Sequence, residues 1–414
     1  MELINGQYEI AGHNVESLAE EYGTPLWAYD METMERCIGD LKDKIGVYPD
    51  TEFLYAIKAN FNPHIVQFIV EQGFGIDAVS IDEVEWAIKC GVPVDRIMYT
   101  ENMMSDEEMR RAQELGVLIN AGSLSRLEEI GKAKPGSDVC VRIKPDVGDG
   151  IHAKLITGTK DSKFGIPHQY IDQIKAIAQK YGLNIIGIHA HVGSGWLKTG
   201  APLAAMEIVL KSAREFPGLL FIDLGGGFGV PYQPDDQPLD MVMLGEEYAA
   251  RMEAFVQEYH RRVKLMFEPG RYVVAEAGHL LVGTTTIKRN PDGRLFVGTD
   301  SGMHHLIRPA LYGSHHPITN ISNPHGGLRE YDVTGNVCES SDFFGKGRKL
   351  SEVRKGHKLA IGMAGAYGAS MSSEYQCRPQ AREVALYRGR AAQLIAESPS
   401  LDERFARFQA GLRQ

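Results

Sequence analysis

From Phe53 to Glu268 the chain alternates between short apolar runs and longer stretches in which apolar residues recur every three or four positions. The short runs lie near 53–57, 73–79, 97–100, 117–120, 138–143, 185–191, 219–224 and 263–268. Their nearly continuous hydrophobicity predicts strands buried on both faces, as in a parallel sheet covered by helices. The gaps carry the helical period over Ile65–Glu71, Val84–Cys90, Glu107–Leu115, Leu124–Ala133, Ile171–Tyr181, Met206–Ala213 and Glu246–His260. Eight strands alternating with helices fit a (β/α)8 barrel better than an open doubly wound sheet.

After about Gly278 the pattern changes. Leu280–Ile287, Leu295–Val297 and Glu383–Tyr387 read as strands, and Asn290-Pro291-Asp292-Gly293 reads as a turn between the first two. These predict a second, mainly antiparallel β-barrel domain. The N-terminal strand patterns Gln7–Ile10 and Leu26–Tyr29 are expected to join it, with a helix over Val15–Tyr22 between them. The expected division is residues 30–278 for the α/β barrel and 1–29 plus 279–414 for the β domain. From Ser398 the tail has helix-like charge spacing.

Composition narrows the function. With 414 residues, one ordinary core is too small, and two domains are expected. A formal net charge of −10 argues against a general nucleic-acid or membrane-surface binder, though not against a local cationic pocket for a small anion. No apolar stretch approaches membrane-spanning length. The 5 cysteines, Cys37, Cys90, Cys140, Cys338 and Cys377, are scattered without metal-ligand spacing, so free thiols in a reducing cytoplasm are expected.

A barrel of this kind carries its active site at the C-terminal strand ends. Here those ends offer Lys58, Asp77, Asn120, Arg142, His191, a glycine run after Asp223, and Glu268. A strand-end lysine is commonly just a side chain reaching for solvent. Held rigidly beside a low-dielectric wall, it is also a nucleophile toward a carbonyl. The run Gly225-Gly226-Gly227-Phe228-Gly229 can turn successive N–H groups toward a phosphate, although tight turns use glycines as readily. Glu268 in Glu268-Pro269-Gly270-Arg271 could keep a pyridine nitrogen protonated, or simply pair with Arg271. His189 and His191 could suggest a metal, but no third ligand is evident, and none is expected. Together a lysine, a histidine, a carboxylate and a glycine loop suit an aldehyde- and phosphate-bearing aromatic, pyridoxal phosphate. In the second domain, Cys338-Glu339-Ser340-Ser341-Asp342 gathers a thiol, carboxylates and hydroxyls, and Gly365–Ser373 is a small-residue loop presenting Tyr367.

The runs Y-A-I-K-A-N, H-V-G-S-G, G-G-G-F-G-V-P-Y, E-P-G-R, L-I-R-P-A-L-Y-G, C-E-S-S-D and G-A-Y-G-A-S-M-S-S follow one another along the chain. In this order they resemble the fold type III pyridoxal phosphate-dependent decarboxylases, most closely the diaminopimelate decarboxylase branch. The resemblance covers nearly the whole chain. It implies a carboxy-lyase acting on a small amino acid, and a homodimer with active sites shared across the subunit interface. It also implies that Lys58 bonds the cofactor aldehyde, His191 stacks on the pyridine and Glu268 pairs with its nitrogen. Gly227 and Gly270 would cradle the phosphate, and Ser194 and Arg271 belong to the same cofactor-binding set. Cys338, from the partner subunit, would return the proton. Arg271, Arg308, Tyr312, Glu339 and Tyr367 match substrate-binding positions, with Tyr367 also near the cofactor. The segment from Gly148 to Gly165 resembles the family's mobile active-site loop.

Three runs depart from the family pattern. C-E-S-G-D carries Ser341 for its glycine, N-D-L is His304-His305-Leu306, and S-S-N-Y-N-S-R-P is Ser372-Ser373-Glu374-Tyr375-Gln376-Cys377-Arg378-Pro379. On the family pattern, arginines paired with a distal carboxylate favour meso-diaminopimelate, with L-lysine as product, over ornithine or lysine. The first alternative is a related decarboxylase acting on ornithine, lysine or a secondary-metabolite amino acid; an amino-acid racemase and a non-catalytic cofactor carrier rank below it, the C-E-S run disfavouring the one and the long C-terminal domain the other.

Overall fold

The computed structural model describes residues 1–410, which form two compact units. One comprises Cys37–Pro231 and Gln237–Val273; the other comprises Met1–Arg36, Tyr232–Asp236 and the chain from Val274 onward.

The first unit is a closed barrel of eight parallel strands. In chain order these are β1 (Thr51–Ala56), β2 (Gly75–Ala78), β3 (Ile97–Thr100), β4 (Leu118–Ala121), β5 (Asp138–Lys144), β6 (Asn184–His189), β7 (Phe221–Asp223) and β8 (Lys264–Phe267). Each pairs with the next, and β8 closes on β1 with Phe267 opposite Phe53. Leu54, Met98, Cys140, Phe221 and Met266 fill the interior with apolar side chains, so the barrel is a packed core rather than a pore.

The returning helices begin where the sequence supplies caps. Ser80, Ser105 and Ser123 each accept an N–H from the residue three positions on, and Ser105 completes a reciprocal capping box with Glu108. These three caps fix where the helices after β2, β3 and β4 begin.

The second unit is built on the long strand Gly278–Arg289. Its first half pairs antiparallel with Leu26–Asp30 and with Lys358–Ile361, and its second half pairs with Leu295–Thr299. Pairing continues from Leu295–Thr299 through Leu328–Thr334 to Phe343–Ser351, and from Lys358–Ile361 to Ile318–Asn320. The sheet curls until Asn320 Nδ2 donates to Ser351 O at 3.3 Å, bringing its two edges together. Pairing is antiparallel except where Arg382–Leu386 meets Leu26–Asp30 and Leu295–Thr299 meets Leu328–Thr334.

Leu26–Asp30 therefore joins the sheet as expected. Gln7–Ile10 does not: it forms a separate three-stranded meander with Glu2–Ile4 and His13–Asn14. The intervening turns are too short to reach the main sheet, and Ile10, Val15 and Leu18 instead pack onto its face beside Leu281, Ala360 and Val384.

Candidate active site

Strand β1 stops at Ala56, and the expected strand-end lysine lies on a single 3-10 turn, Ile57–Ala59. Ile57 and Ala59 are both fully buried, which fixes the turn and presents Lys58 at the rim. Its Nζ lies 2.5 Å from Oδ2 of Asp77, a fully buried side chain on the neighbouring β2. Burial raises the Asp77 pKa, Glu268 adds to the rise, and Lys58 opposes it. The pair thus holds its charge through the lysine. Glu83, whose Oε2 accepts the Val79 N–H at 2.8 Å, is likewise raised by burial and opposed by Lys58.

Glu268 follows β8 directly and is buried. Its two oxygens have different neighbours: Oε2 is 3.1 Å from His189 Nε2, and Oε1 accepts from the Thr100 hydroxyl at 3.4 Å. Asn120 Nδ2 donates in turn to Thr100 Oγ1 at 3.3 Å. Burial raises the Glu268 pKa, against Lys58, Arg142 and the Thr100 hydrogen bond. The same burial pushes His189 well below its usual range, so its imidazole is neutral.

The two histidines of the H-x-H run have separate settings. His189 ends β6 inside the barrel, whereas His191 lies past the strand, half-buried. Its Nδ1 accepts the Gly226 N–H at 3.2 Å, which places the proton of the neutral ring on Nε2. Burial lowers its pKa as well. His191 is thereby tied to the glycine run, whose first turn is set by Asp223 Oδ1 accepting the Gly225 N–H at 2.7 Å.

Gly227 can only be glycine. Its φ is +107°, and a Cβ there would lie 2.1 Å from Gly193 O and 2.3 Å from the Trp196 indole nitrogen. Beside it, Arg271 donates through Nε and Nη2 to Ser194 Oγ, at 3.3 and 3.0 Å. Gly270 backs onto Ala56, whose N–H donates to Pro269 O at 3.2 Å.

Among the described residues, His189, Asp223 and Glu268 bring one ligand-type atom each within 4.8 Å of one another, all buried. Of the histidine pair only His189 belongs to this cluster; the other two members, Asp223 on β7 and Glu268 after β8, are the ones the sequence leaves unseen. These carboxylates already face cations: Arg142 is buried among Glu268, Asp77, Glu101 and Asp223, and Lys58 acts on Glu268 and Asp77.

The segment following β5 packs on the His191–Ser194 stretch. Asp149, Thr157 and Gly158 donate N–H groups to Val192 O, Ser194 N–H donates to Leu155 O, and the Thr157 hydroxyl donates to His191 O. Phe164 closes over the Arg142 guanidinium at 4.8 Å.

The remaining expected residues belong to the second unit and fall into two groups. Arg308, fully buried at the start of the helix Arg308–Tyr312, has its guanidinium 5.4 Å from the Tyr312 ring centre and 5.5 Å from that of Tyr367. Tyr367 itself adopts a left-handed φ of 56°. Cys338 and Glu339 lie on an exposed turn ordered by Asp342, which accepts the N–H groups of Val337 and Met303, both at 2.7 Å. Cys338 N–H donates to Gln376 Oε1 at 3.4 Å, and Glu339 accepts from the Tyr375 hydroxyl at 2.5 Å.

Sequence reasoning gave no role to Glu83, Thr100, His189, Asp223 or Trp196. The first residue of H-x-H was a usable signal for His189, and the buried carboxylate ahead of the glycine run for Asp223. Nothing local distinguishes Thr100 or Trp196.

Comparison with known proteins places the chain in a family. The pyridoxal binding domain of the pyridoxal-dependent decarboxylases matches residues 33–275, and their C-terminal sheet domain matches residues 271–365. The chain belongs to the pyridoxal-dependent decarboxylases. It is 39% identical to the diaminopimelate decarboxylase of Methanothermobacter thermautotrophicus, over 93% of this chain and 92% of that protein. The Escherichia coli K12 diaminopimelate decarboxylase is 34% identical over 98% of each chain. The crystal structure of Helicobacter pylori diaminopimelate decarboxylase complexed with L-lysine superposes with a TM-score of 0.88, at 30% identity, covering 96% of this chain and 100% of that one.

The barrel rim fits the family's cofactor on its own evidence. The backbone at Gly227 approaches Gly193 O and the Trp196 ring too closely for any side chain, and among the described residues the buried Trp196 Nε1 and Asp77 Oδ1 have no hydrogen-bond partner.

Proposed function

We propose that this protein is a pyridoxal phosphate-dependent carboxy-lyase that converts meso-diaminopimelate to L-lysine and CO2. The observation that carries this reading is the rim itself: an amine on a buried carboxylate, a second buried carboxylate held by His189, and a glycine cradle beside an arginine. The cofactor supplies an aldehyde for amines and a protonated ring that withdraws the electron pair left as CO2 departs.

The chain's own groups do the rest. Lys58 would bond the cofactor aldehyde, with Asp77 placed to accept the proton that the lysine gives up. Glu268 would face the pyridine nitrogen, with His189 holding its Oε2 and Thr100 its Oε1. His191 would cover the ring face, and Gly227, Gly270, Ser194 and Arg271 would hold the phosphate end. In the second unit, Arg308 with Tyr312 and Tyr367 receives the distal carboxylate, and Glu339 the distal ammonium. The Cys338 thiol delivers a proton to the substrate α-carbon from a second copy of the chain, in a homodimer of the cytoplasm.

The test is a CO2-release assay run side by side on meso-diaminopimelate, L-lysine, L-ornithine and L-arginine with their D-forms. The diacid should be the fastest by at least an order of magnitude. Faster release from ornithine or lysine would overturn the substrate and leave the decarboxylase standing; inversion of configuration without CO2 would point to a racemase.

A further inference from the structure

We propose that a cavity in the second unit, separate from the residues assigned to catalysis, binds a small oxyanion bearing a phosphate or carboxylate group. The cavity has a volume of about 390 Å³ and is bordered by Arg378, Arg382, Arg404, His304 and Asp300, among others. It is large enough for a small metabolite anion.

Its charges do not balance within the protein. Asp300 is occupied by the Gly283 N–H at 2.9 Å and the Thr24 hydroxyl at 2.5 Å. Arg382 pairs with Glu397 at 2.9 Å and donates to Tyr22 O. Arg378 and Arg404 each spend one nitrogen on a backbone carbonyl, Asn336 O at 2.8 Å and Cys377 O at 2.7 Å. Among the described residues neither guanidinium has a carboxylate at ion-pair distance. Three arginines therefore border the cavity against one lining carboxylate, Asp300, and among the described residues Arg378 and Arg404 form no ion pair.

Hydrogen bonding is unfinished in the same place. Arg404 is 8% exposed and His304 3%, yet Arg404 Nε, Arg378 Nε and His304 Nδ1 are buried without a partner. A buried donor left without an acceptor costs about 1–3 kcal/mol, more when charged. All three belong to residues that border the cavity, where an oxyanion would offer acceptors to several N–H groups at once.

The sequence contributes a reason specific to this chain. Where the family run carries aspartate, this chain carries His305. Its Nε2 donates to Pro379 O at 2.9 Å and its Nδ1 accepts from Ser301, which together describe a neutral ring. His305 thus brings no negative charge to Arg378, and an external anion would supply one.

The proposal does not depend on the substrate assigned above, and the test uses the cofactor-loaded enzyme, whose own phosphate site is filled. Inorganic phosphate and succinate are titrated separately by calorimetry at low ionic strength, with thermal melting in parallel. The expected result is saturable binding of at least one, with Kd below about 1 mM, and a rise in Tm that saturates with it. The stronger ligand identifies the source of the oxyanion. Affinity should fall at least tenfold in Arg404→Gln and Arg378→Gln, and stay unchanged in the surface control Arg289→Gln. Because Arg404 also anchors the C-terminal helix, His304→Asn provides a milder variant in which binding must weaken while the ligand-free Tm holds. Absence of saturable binding by both anions, or equal affinity in wild type and all three cavity variants, overturns the proposal.

Discussion

His189 and Glu268 meet at 3.1 Å between ring nitrogen and carboxylate oxygen, both closed off from solvent. The contact joins the end of β6 to the residue after β8 and fixes the carboxylate proposed to face a cofactor nitrogen. Replacing Glu268 with Gln keeps the shape and removes the charge, so kcat should fall by about two to three orders of magnitude. His189→Asn should cost less, about tenfold, while shifting the visible absorbance of the bound cofactor. An unaltered spectrum with unaltered turnover in both variants would remove Glu268 from the chemistry.

Lys58 is assigned the covalent role. Borohydride should fix the cofactor to the wild-type chain, and peptide mapping should recover it on Lys58. In Lys58→Ala the fixation should disappear, with a loss of about three orders of magnitude or more in turnover. Recovery of label on a different lysine in the variant is the outcome that defeats the assignment.

The proposed sharing of sites between two copies of the chain makes a separate test possible. Lys58 lies in one unit, and Cys338 lies in the other, 280 positions along the chain. Lys58→Ala and Cys338→Ala, each inactive alone, should regain up to about a quarter of wild-type activity per site when mixed under conditions that exchange subunits, because random pairing makes half the dimers mixed and each mixed dimer has one intact site. Exchange demonstrated by mass without recovered activity would mean that each chain builds its own site.

Arg308 is proposed to read the substrate's far end. It is buried against Tyr312 and Tyr367, so Arg308→Ala should lower kcat/KM for meso-diaminopimelate by about 2–5 kcal/mol, or roughly thirtyfold to several thousandfold. Activity on L-lysine, which has no distal carboxylate, should change much less. Equal losses on both substrates would show that the arginine supports the fold rather than selectivity.

Acid should weaken the second unit earlier than carboxylates alone would. Burial holds His279 and His305 at about 4, against about 6.5 in an unfolded chain. Both stay neutral in the native state while the unfolded chain takes up protons, so stability is full above about pH 6.5. It then declines as pH falls toward 4, by up to about 1.4 kcal/mol per pH unit for each group. Denaturant melts between pH 7.5 and 5 should show this slope, and His305→Asn should flatten it. A wild-type curve that is level over that interval would contradict the assignment.

Much of the barrel was legible because its strands are buried on both faces. Unbroken apolar runs such as Phe53–Ile57 and Ile97–Thr100 announced themselves, and the observed strands Thr51–Ala56 and Ile97–Thr100 lie where those runs do. The second unit was only partly legible. Phe343–Ser351, with Lys346, Arg348 and Lys349 along it, and Leu328–Thr334, exposed at its first three positions, are held by their partners rather than by hydrophobicity. Met31–Asp40 was missed as a helix because its apolar face is carried by methionine, cysteine and one isoleucine.

At the site, residues in recurring motifs could be named from sequence, whereas their partners could not. Thr100 reaches Glu268 across 168 positions, and only barrel closure brings them together. The departure at Glu374, which alters charge in a family run, is offset by Arg407 from the C-terminal helix at 3.1 Å. That pairing joins residues 33 positions apart, which no local pattern reveals.

The closing of β8 on β1 also ties the site to the order in which the molecule assembles. Lys58 follows the first strand and Glu268 the last, and the pairing of Phe267 with Phe53 is the step that makes them neighbours. Until that long-range pairing forms, the groups assigned to the cofactor's two ends are parts of an open ribbon. The yellow colour expected of the loaded enzyme then becomes a clock for refolding: it marks the moment the ring shuts, later than any signal from the helices.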